Sequence, residues 1–416
     1  MELSLFGEKF TGRSGILELM DDLALALQGS EKKYMLGGGN PACIPEVNAV
    51  WRRRLKEILE SPGEMEKMLG NYDSAKANSA FADALAALLR REFGWPLTGE
   101  NVAVTNGSQS ACFLFYNLFG GRGKDGGQRR IVFPLCPEYI GYADQGIEPG
   151  QFLAFPSRIE ELPENSFKYH VDFDGLVLPR DAAAIAVSRP TNPTGNVLSD
   201  EEVRKLAKLA AGKGIPLFLD NAYGLPFPRI IFEDVAPYWD ENVIYSMSLS
   251  KLGLPSVRTG IIIARAEIVR AFAAANAIVN LANGGIGQIL VEPLIRSGEI
   301  LDISEKFIRP FYRNRSRDTI RWIRQSFPKN LDYAVHKSQG AIFLWIWFKN
   351  LSVSSKELYE RLRKRNVIVV PGEYFFFGLE RDWPHSRQCI RFNYAANEAD
   401  VKRGIEIIAE ETAKLV

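Results

Sequence analysis

Lys251 stands in SMSLSKLGLPSVRTG, residues 246–260, between small hydroxyl residues and a turn containing glycine and proline, with Arg258 seven positions on. A lysine beside an apolar strand is costly unless its charge is paired or its pKa falls, and a lowered pKa makes its amine a nucleophile for a carbonyl. Ser248, Ser250 and Arg258 together offer donors to one phosphate. In TNGSQSA, residues 105–111, an apolar run gives way to an apolar helix. The N–H groups of Gly107, Ser108 and Gln109 would then face out of a helix N-terminus, which favours an anion. Ser108 serves equally well as a plain N-cap, so the stretch alone leaves both readings open.

Two further stretches have the same character. SRPTNPTGN, residues 188–196, is a turn stiffened by two prolines and a glycine that either aims Asn192 across the strand ends or simply connects strand to helix. In FLDNAYG, Asp220 closes an apolar strand and Tyr223 follows three residues later. A carboxylate at the end of a buried strand is paired, hydrated or functional, or else caps the next helix. One ligand accounts for all of these residues together: a phosphorylated aldehyde carrying a pyridine ring, pyridoxal 5'-phosphate. Its phosphate would take Gly107–Gln109, Ser248, Ser250 and Arg258. Asp220 would take its ring nitrogen, Asn192 and Tyr223 its ring hydroxyl, and Lys251 its aldehyde.

The elements that must position these residues are legible as period-two and period-3.6 patterns. Strands are expected over 101–105, 130–135, 151–156, 184–188, 216–220, 242–247 and 259–264, with helices between several of them. One helix, 200–212, opens with Ser199 and carries Glu202 three residues on, the signature of a capping box. The pattern predicts an α/β fold with a mostly parallel seven-stranded sheet covered on both faces, and the residues above fall just past strand ends, where such sheets bind ligands. After about residue 300 the texture changes. A long helix to about 327, the apolar run AIFLWIWF, a helix over 354–365, strands NVIVV and QCIRFN, and a closing helix from 397 predict a smaller α+β domain. The expected division is 1–40 as an N-terminal segment joining the small domain and covering the site, 41–300 as the large domain and 301–416 as the small one. The glycine-rich, basic stretch FGGRGKDGGQRR, 119–130, reads as an exposed flexible connection.

These motifs resemble those of the fold-type I, pyridoxal-phosphate-dependent aminotransferases. NPTG, D-x-x-Y, S-x-S-K, the following R-x-G and a late arginine run in that family's order over nearly the whole chain. Longer strings, among them SLFGEKFTGRSGI, LGGGNPA, PEYIGYAD, DNAYGLPFP, MSLSKLGLP, GAIFLWIWFK and PHSRQCIRFNY, narrow the resemblance to the branch that transfers the amino group of L-valine to pyruvate. The products would be 2-oxoisovalerate (3-methyl-2-oxobutanoate) and L-alanine. Alternatives on the same fold are transamination of alanine or aromatic amino acids, C–S lysis, or a non-catalytic cofactor-binding sensor. The resemblance implies that Lys251 is the Schiff-base lysine and proton carrier, with Asp220 and Tyr223 beside it. Tyr139, in the PEY turn, would stack on the cofactor ring. Arg391, with Asn192 and the backbone at Gly38 and Gly39, would hold the substrate carboxylate. Tyr72, in NYD, would reach the phosphate of a second subunit, implying a homodimer with shared active sites. The segment after Tyr72, DSAKANSA, lacks the glycine usual in the family, and the spacing of seven from Lys251 to Arg258 is one shorter than in many members.

The bulk composition agrees with such a protein. The chain has 416 residues, 46% hydrophobic and 24% charged, with a formal net charge of +1, which gives no reason to expect nucleic acid or an anionic membrane as partner. Four scattered cysteines without a CxxC pair and three scattered histidines argue against a zinc site, so no metal is expected. The opening MELSLFGEKF lacks the features of a signal peptide and no apolar run approaches a membrane span, which predicts a cytoplasmic enzyme with reduced thiols. Residues 3–16, punctuated by glycine, are expected to close over bound substrate.

Overall fold

The structure is a computed structural model that describes residues 2–12, 14–18, 20 and 32–416. All seven expected strands form. Across the central sheet they run Val102–Asn106, Thr259–Ile263, Val243–Ser248, Leu217–Asp220, Ala182–Ser188 and Gln128–Cys136, with Phe152–Pro156 beyond. Neighbours are parallel, except that Thr259–Ile263 is antiparallel to the strands on both its sides. An eighth strand, Gly121–Arg122, pairs antiparallel with the start of Gln128–Cys136. The stretch 119–130 is thus a short hairpin at the sheet edge rather than a free connection. Ladder hydrogen bonds need only backbone, so its glycines and charges concealed it.

Alternation along each strand supplies the two faces. Ile131, Phe133, Ala184, Ala186, Phe218, Ile244 and Ile262 join one apolar cluster with the helix Ser108–Phe119. Their neighbours Val132, Ile185, Val187, Leu217, Leu219, Val243 and Ile261 join the other. A sheet buried on both sides reads as continuous apolar runs, which is how these strands are written in the sequence.

A second, six-stranded sheet runs Val370–Pro371, Cys389–Asn393, Phe343–Phe348, Tyr333–His336, Ser166–His170 and Arg158–Leu162. Its last two strands come from the middle of the chain, inside the span 41–300 expected for the large domain, and are carried over by parallel pairing of Val335 with Ser166 and His336 with Phe167. Register with a strand some 170 residues away leaves no local signal in the sequence. Tyr34–Met35 pairs with Val367–Ile368, tying the N-terminal part of the chain to the C-terminal part. The long helical stretch near 301–327 is Glu299–Ile303, a π-helical turn at Ser304–Ile308 and Arg309–Ser326. No helix among the described residues is long and apolar enough to cross a membrane.

The helix Asp200–Lys213 starts just after the NPTG turn and has the expected capping box. Ser199 Oγ accepts from Glu202 N–H at 3.2 Å, and Ser199 N–H donates to the Glu202 carboxylate at 2.8 Å. Ser199→Ala leaves an orphan N–H at the helix start and is expected to lower unfolding free energy by about 1 kcal/mol. Urea denaturation checks this; an unchanged midpoint would show that the box adds nothing.

Candidate active site

The polar groups gather at one edge of the central sheet because its parallel strands all end there. Ser188, Asp220 and Ser246 lie abreast on three neighbouring strands. The reversed strand Thr259–Ile263 begins at this edge instead of ending there, which delivers Arg258 to the same place. A cavity of about 880 Å³ opens at this point. Gly38, Gly39, Ser108, Gln109, Tyr139, Asn192, Asp220, Tyr223, Ser248, Ser250, Lys251, Arg258 and Arg391 all line it.

One corner is built for an anion. The N-cap of Ser108–Phe119 is Gly107, with no side chain to accept from the first turn, and Ser108 is the first helical residue rather than the cap. Gly107 has φ +86°, and a Cβ there would lie 2.1 Å from Arg258 Nη2. Only glycine therefore lets the guanidinium lie against the helix start, where N–H groups and cation reinforce each other. Arg258 itself adopts left-handed backbone at φ +46°, an unusual conformation for a residue with a side chain. Ser248 and Ser250 close the same corner.

Lys251 and Arg391 face each other across a strip of glycine backbone. Lys251 Nζ donates to the Gly39 carbonyl at 2.6 Å, Arg391 Nη2 to the Gly37 carbonyl at 2.6 Å, and Asn393 Nδ2 to the Gly38 carbonyl at 2.8 Å. Three successive carbonyls thus meet three side chains of the site. Withdrawal from water, aided by the nearby Arg391 and Arg258 charges, lowers the Lys251 pKa to about 8. Its Nζ lies 5.3 Å from the centre of the Tyr223 ring. Arg391 is buried, its Cζ 4.2 Å from the Phe343 ring centre and 5.2 Å from that of Phe375. Burial pulls its pKa down to about 10. Arg391 Nη1 donates to Asn192 Oδ1 at 2.8 Å, while its Nε is buried without a partner among the described residues. Arg391 itself lies on the cavity wall, where a guanidinium can pair with a carboxylate.

Asp220 caps no helix: the chain after it turns, and its Oδ1 accepts from Ala222 N–H at 3.1 Å. Its Oδ2 accepts from the Tyr142 hydroxyl. Burial pushes its pKa up, and those two donors pull it back. Tyr142 escaped the sequence reading although it lies three residues after Tyr139, within one 3₁₀ turn. Asn393 escaped it as well; it sits two residues after Arg391 on one strand, the spacing that puts side chains on the same face. Ile16, Met20, Met35 and Ile140 add an apolar wall that no motif announced. Of the N-terminal segment, residues 1, 13, 19 and 21–31 lie outside the described residues. Tyr72 is not brought to the cavity: it is 86% exposed, just past the helix Glu64–Gly70.

A lysine, an aspartate and an anion corner at the carboxyl edge of a mixed α/β sheet define a fold-type I transferase, and residues 46–408 match the family model for aminotransferase class I and II. The chain belongs to that family. It is 49% identical over 411 residues to the valine–pyruvate aminotransferase of Escherichia coli (strain K12), covering 99% of this chain and 98% of that one. The crystal structure of valine–pyruvate aminotransferase from Salmonella typhimurium LT2 superposes with a TM-score of 0.89 at 46% identity, over 96% of this chain and 99% of the other. That of a putative amino-acid aminotransferase from Psychrobacter arcticum 273-4 superposes with a TM-score of 0.97 at 43% identity, over 100% and 99%.

In the chain without added ligand, Lys251 is expected to titrate near pH 8, well below an ordinary lysine at 10.5. NMR of reductively ¹³C-methylated protein, with Lys251→Arg to assign the resonance, reads this directly. A midpoint at the ordinary value would show that the cavity does not desolvate the amine.

Proposed function

We propose that this chain catalyses pyridoxal-phosphate-dependent transfer of the amino group of L-valine to pyruvate, giving 3-methyl-2-oxobutanoate and L-alanine. The observation that carries the reading is the convergence of Lys251, Asp220 and Arg391 with the anion corner of Ser108, Gln109 and Arg258 on one cavity. The donor set fits the cofactor. Ser108, Gln109, Ser248, Ser250 and Arg258 would hold its phosphate, Asp220 its ring nitrogen, Asn192 and Tyr223 its ring oxygen, and Tyr139 its face. When bound, the cofactor supplies an aldehyde for amine exchange and a ring that accepts electrons.

The residues of the chain do the rest. With a pKa of about 8, roughly a tenth of Lys251 amines are neutral at pH 7, against about one in three thousand at 10.5. The neutral Nζ takes the Cα proton of the amino acid, and with pyruvate the same nitrogen returns a proton to the carbon that becomes Cα of alanine. The Gly39 carbonyl orients that amine while it waits. Arg391, held by Asn192 and sandwiched between Phe343 and Phe375, pairs with the substrate carboxylate.

Substrate class follows from charge. The only cations among the described residues lining the cavity are Lys251, Arg258 and Arg391, each with a role already, so none remains for a second carboxylate. Ile16, Met20, Met35 and Ile140 suit a branched apolar side chain instead. The relatives that carry the valine–pyruvate name support the same choice. We read the protein as a cytoplasmic enzyme; its four cysteines are unpaired.

A homodimer belongs to the reading. Leu69, Tyr72, Ile278, Val279, Leu281 and Ile286 are exposed, and the two stretches of chain that carry them are bonded together by Asn283 Nδ2 on the Ala75 carbonyl at 2.8 Å. Such an apolar patch fits a second copy that would receive Tyr72. Sedimentation should give twice the chain mass, and a mass of one chain would remove this part.

Absorbance of the cofactor-loaded protein tests the reaction. L-Valine should bleach the cofactor band, pyruvate should restore it, and L-aspartate should leave it almost unchanged. A band indifferent to valine and responsive to another amino acid would replace the substrate; no band after reconstitution would remove the cofactor.

A further inference from the structure

We propose that Tyr142 is a positioning residue for the cofactor, acting through Asp220: its hydroxyl fixes one carboxylate oxygen so that the carboxylate faces the ring nitrogen in ionised form. The inference rests on the reading that Asp220 meets that nitrogen.

Tyr142 is 2% exposed, and its ring is held on three sides. Tyr116 meets it edge-on at 5.4 Å, Phe133 lies nearly parallel at 6.1 Å, and Tyr139 stands perpendicular at 5.1 Å. The turn Ile140–Tyr142, closed by Tyr142 N–H on the Tyr139 carbonyl at 2.9 Å, therefore carries both the aromatic face of the site and the support of its carboxylate. The hydroxyl lies between the Cys112 thiol and Asp220 Oδ2. Apart from Ala222 N–H on Oδ1 it is the carboxylate's donor. A hydrogen bond to the charged form of a buried acid favours that form, and a neutral acid at this position would no longer hold a proton on the ring nitrogen.

The titratable groups facing Asp220 are Tyr142, Cys112, Tyr116, Glu138, Tyr139 and Tyr223. The phenols and the Cys112 thiol are pushed up by burial, which keeps them neutral. Burial pushes Glu138 up to about 8, so it is mostly neutral beside Asp220 once the pH is about one unit lower. Comparison of variants is therefore cleanest below about pH 7, where the phenols, the Cys112 thiol and Glu138 stay mostly neutral.

The test compares wild type, Tyr142→Phe, Asp220→Asn and the double variant as holoenzymes. Tyr142→Phe is expected to weaken cofactor retention in equilibrium dialysis about tenfold and lower kcat about tenfold, with the KM for valine within about twofold. The deficit should grow as pH falls. In the Asp220→Asn background the same change should have almost no further effect, because the group it acts through is gone. If Tyr142→Phe costs as much there as in wild type, Tyr142 only fills space and the proposal is overturned. A Tyr142→Phe protein indistinguishable from wild type in dialysis and pH profile overturns it too. Asp220→Asn without effect on cofactor retention would instead remove the reading beneath it. Should Tyr142→Phe fail to fold, Tyr142→His, which keeps a donor, takes its place: it is expected to retain the cofactor within about twofold of wild type, and a tenfold loss there would overturn the proposal.

Discussion

Each strand of the central sheet sends alternate side chains into two different apolar clusters, and this leaves its polar groups no outlet except the strand ends. Parallel strands end on one side, so Asn106, Ser188, Asp220 and Ser248 are delivered to a single edge. One strand of reversed direction, Thr259–Ile263, then becomes an asset: it starts at that edge and contributes Arg258 from its first turn. The site is a consequence of burying both faces of a mixed sheet.

Burial of Arg391 and Asp220, and partial burial of Lys251, decides the electrostatics that follow. Lys251, Arg258 and Arg391 converge with Asp220 on one cavity, and withdrawal from water lowers the pKa of Lys251 and Arg391 while raising that of Asp220. Backbone answers part of this cost. The carbonyls of Gly37 and Gly39 accept from Arg391 and Lys251, and the Asn192 side chain accepts from Arg391. The lysine is left near neutrality, where an amine can work as a base, whereas the far more basic guanidinium stays charged.

The second sheet sets Arg391 against this edge. Its strand Cys389–Asn393 pairs with Phe343–Phe348, which puts Phe343 beneath the guanidinium, and Asn393 on the same face reaches Gly38. Hydrogen bonds from the C-terminal strand to the glycine strip and to the NPTG turn therefore join three distant parts of the chain at the substrate position.

The central strands, the capped helix at Ser199 and the residues Lys251, Asp220, Asn192 and Arg258 were legible in the sequence, because apolar alternation, cap chemistry and polar residues at strand ends are local signals. Others were not. Tyr142 looks like any aromatic in an apolar neighbourhood until folding puts its hydroxyl on Asp220. The hairpin over 158–170 gives no hint that its partner is Tyr333–His336. The wall of Ile16, Met20, Met35 and Ile140 joins residues more than 100 positions apart. By itself the sequence determined which residue types stand at which strand ends, since periodicity and propensity act over a few residues. Only the tertiary structure decided which of them meet, which charges are stripped of water and which backbone carbonyls answer them, because pairing, desolvation and close packing act between segments far apart in the chain.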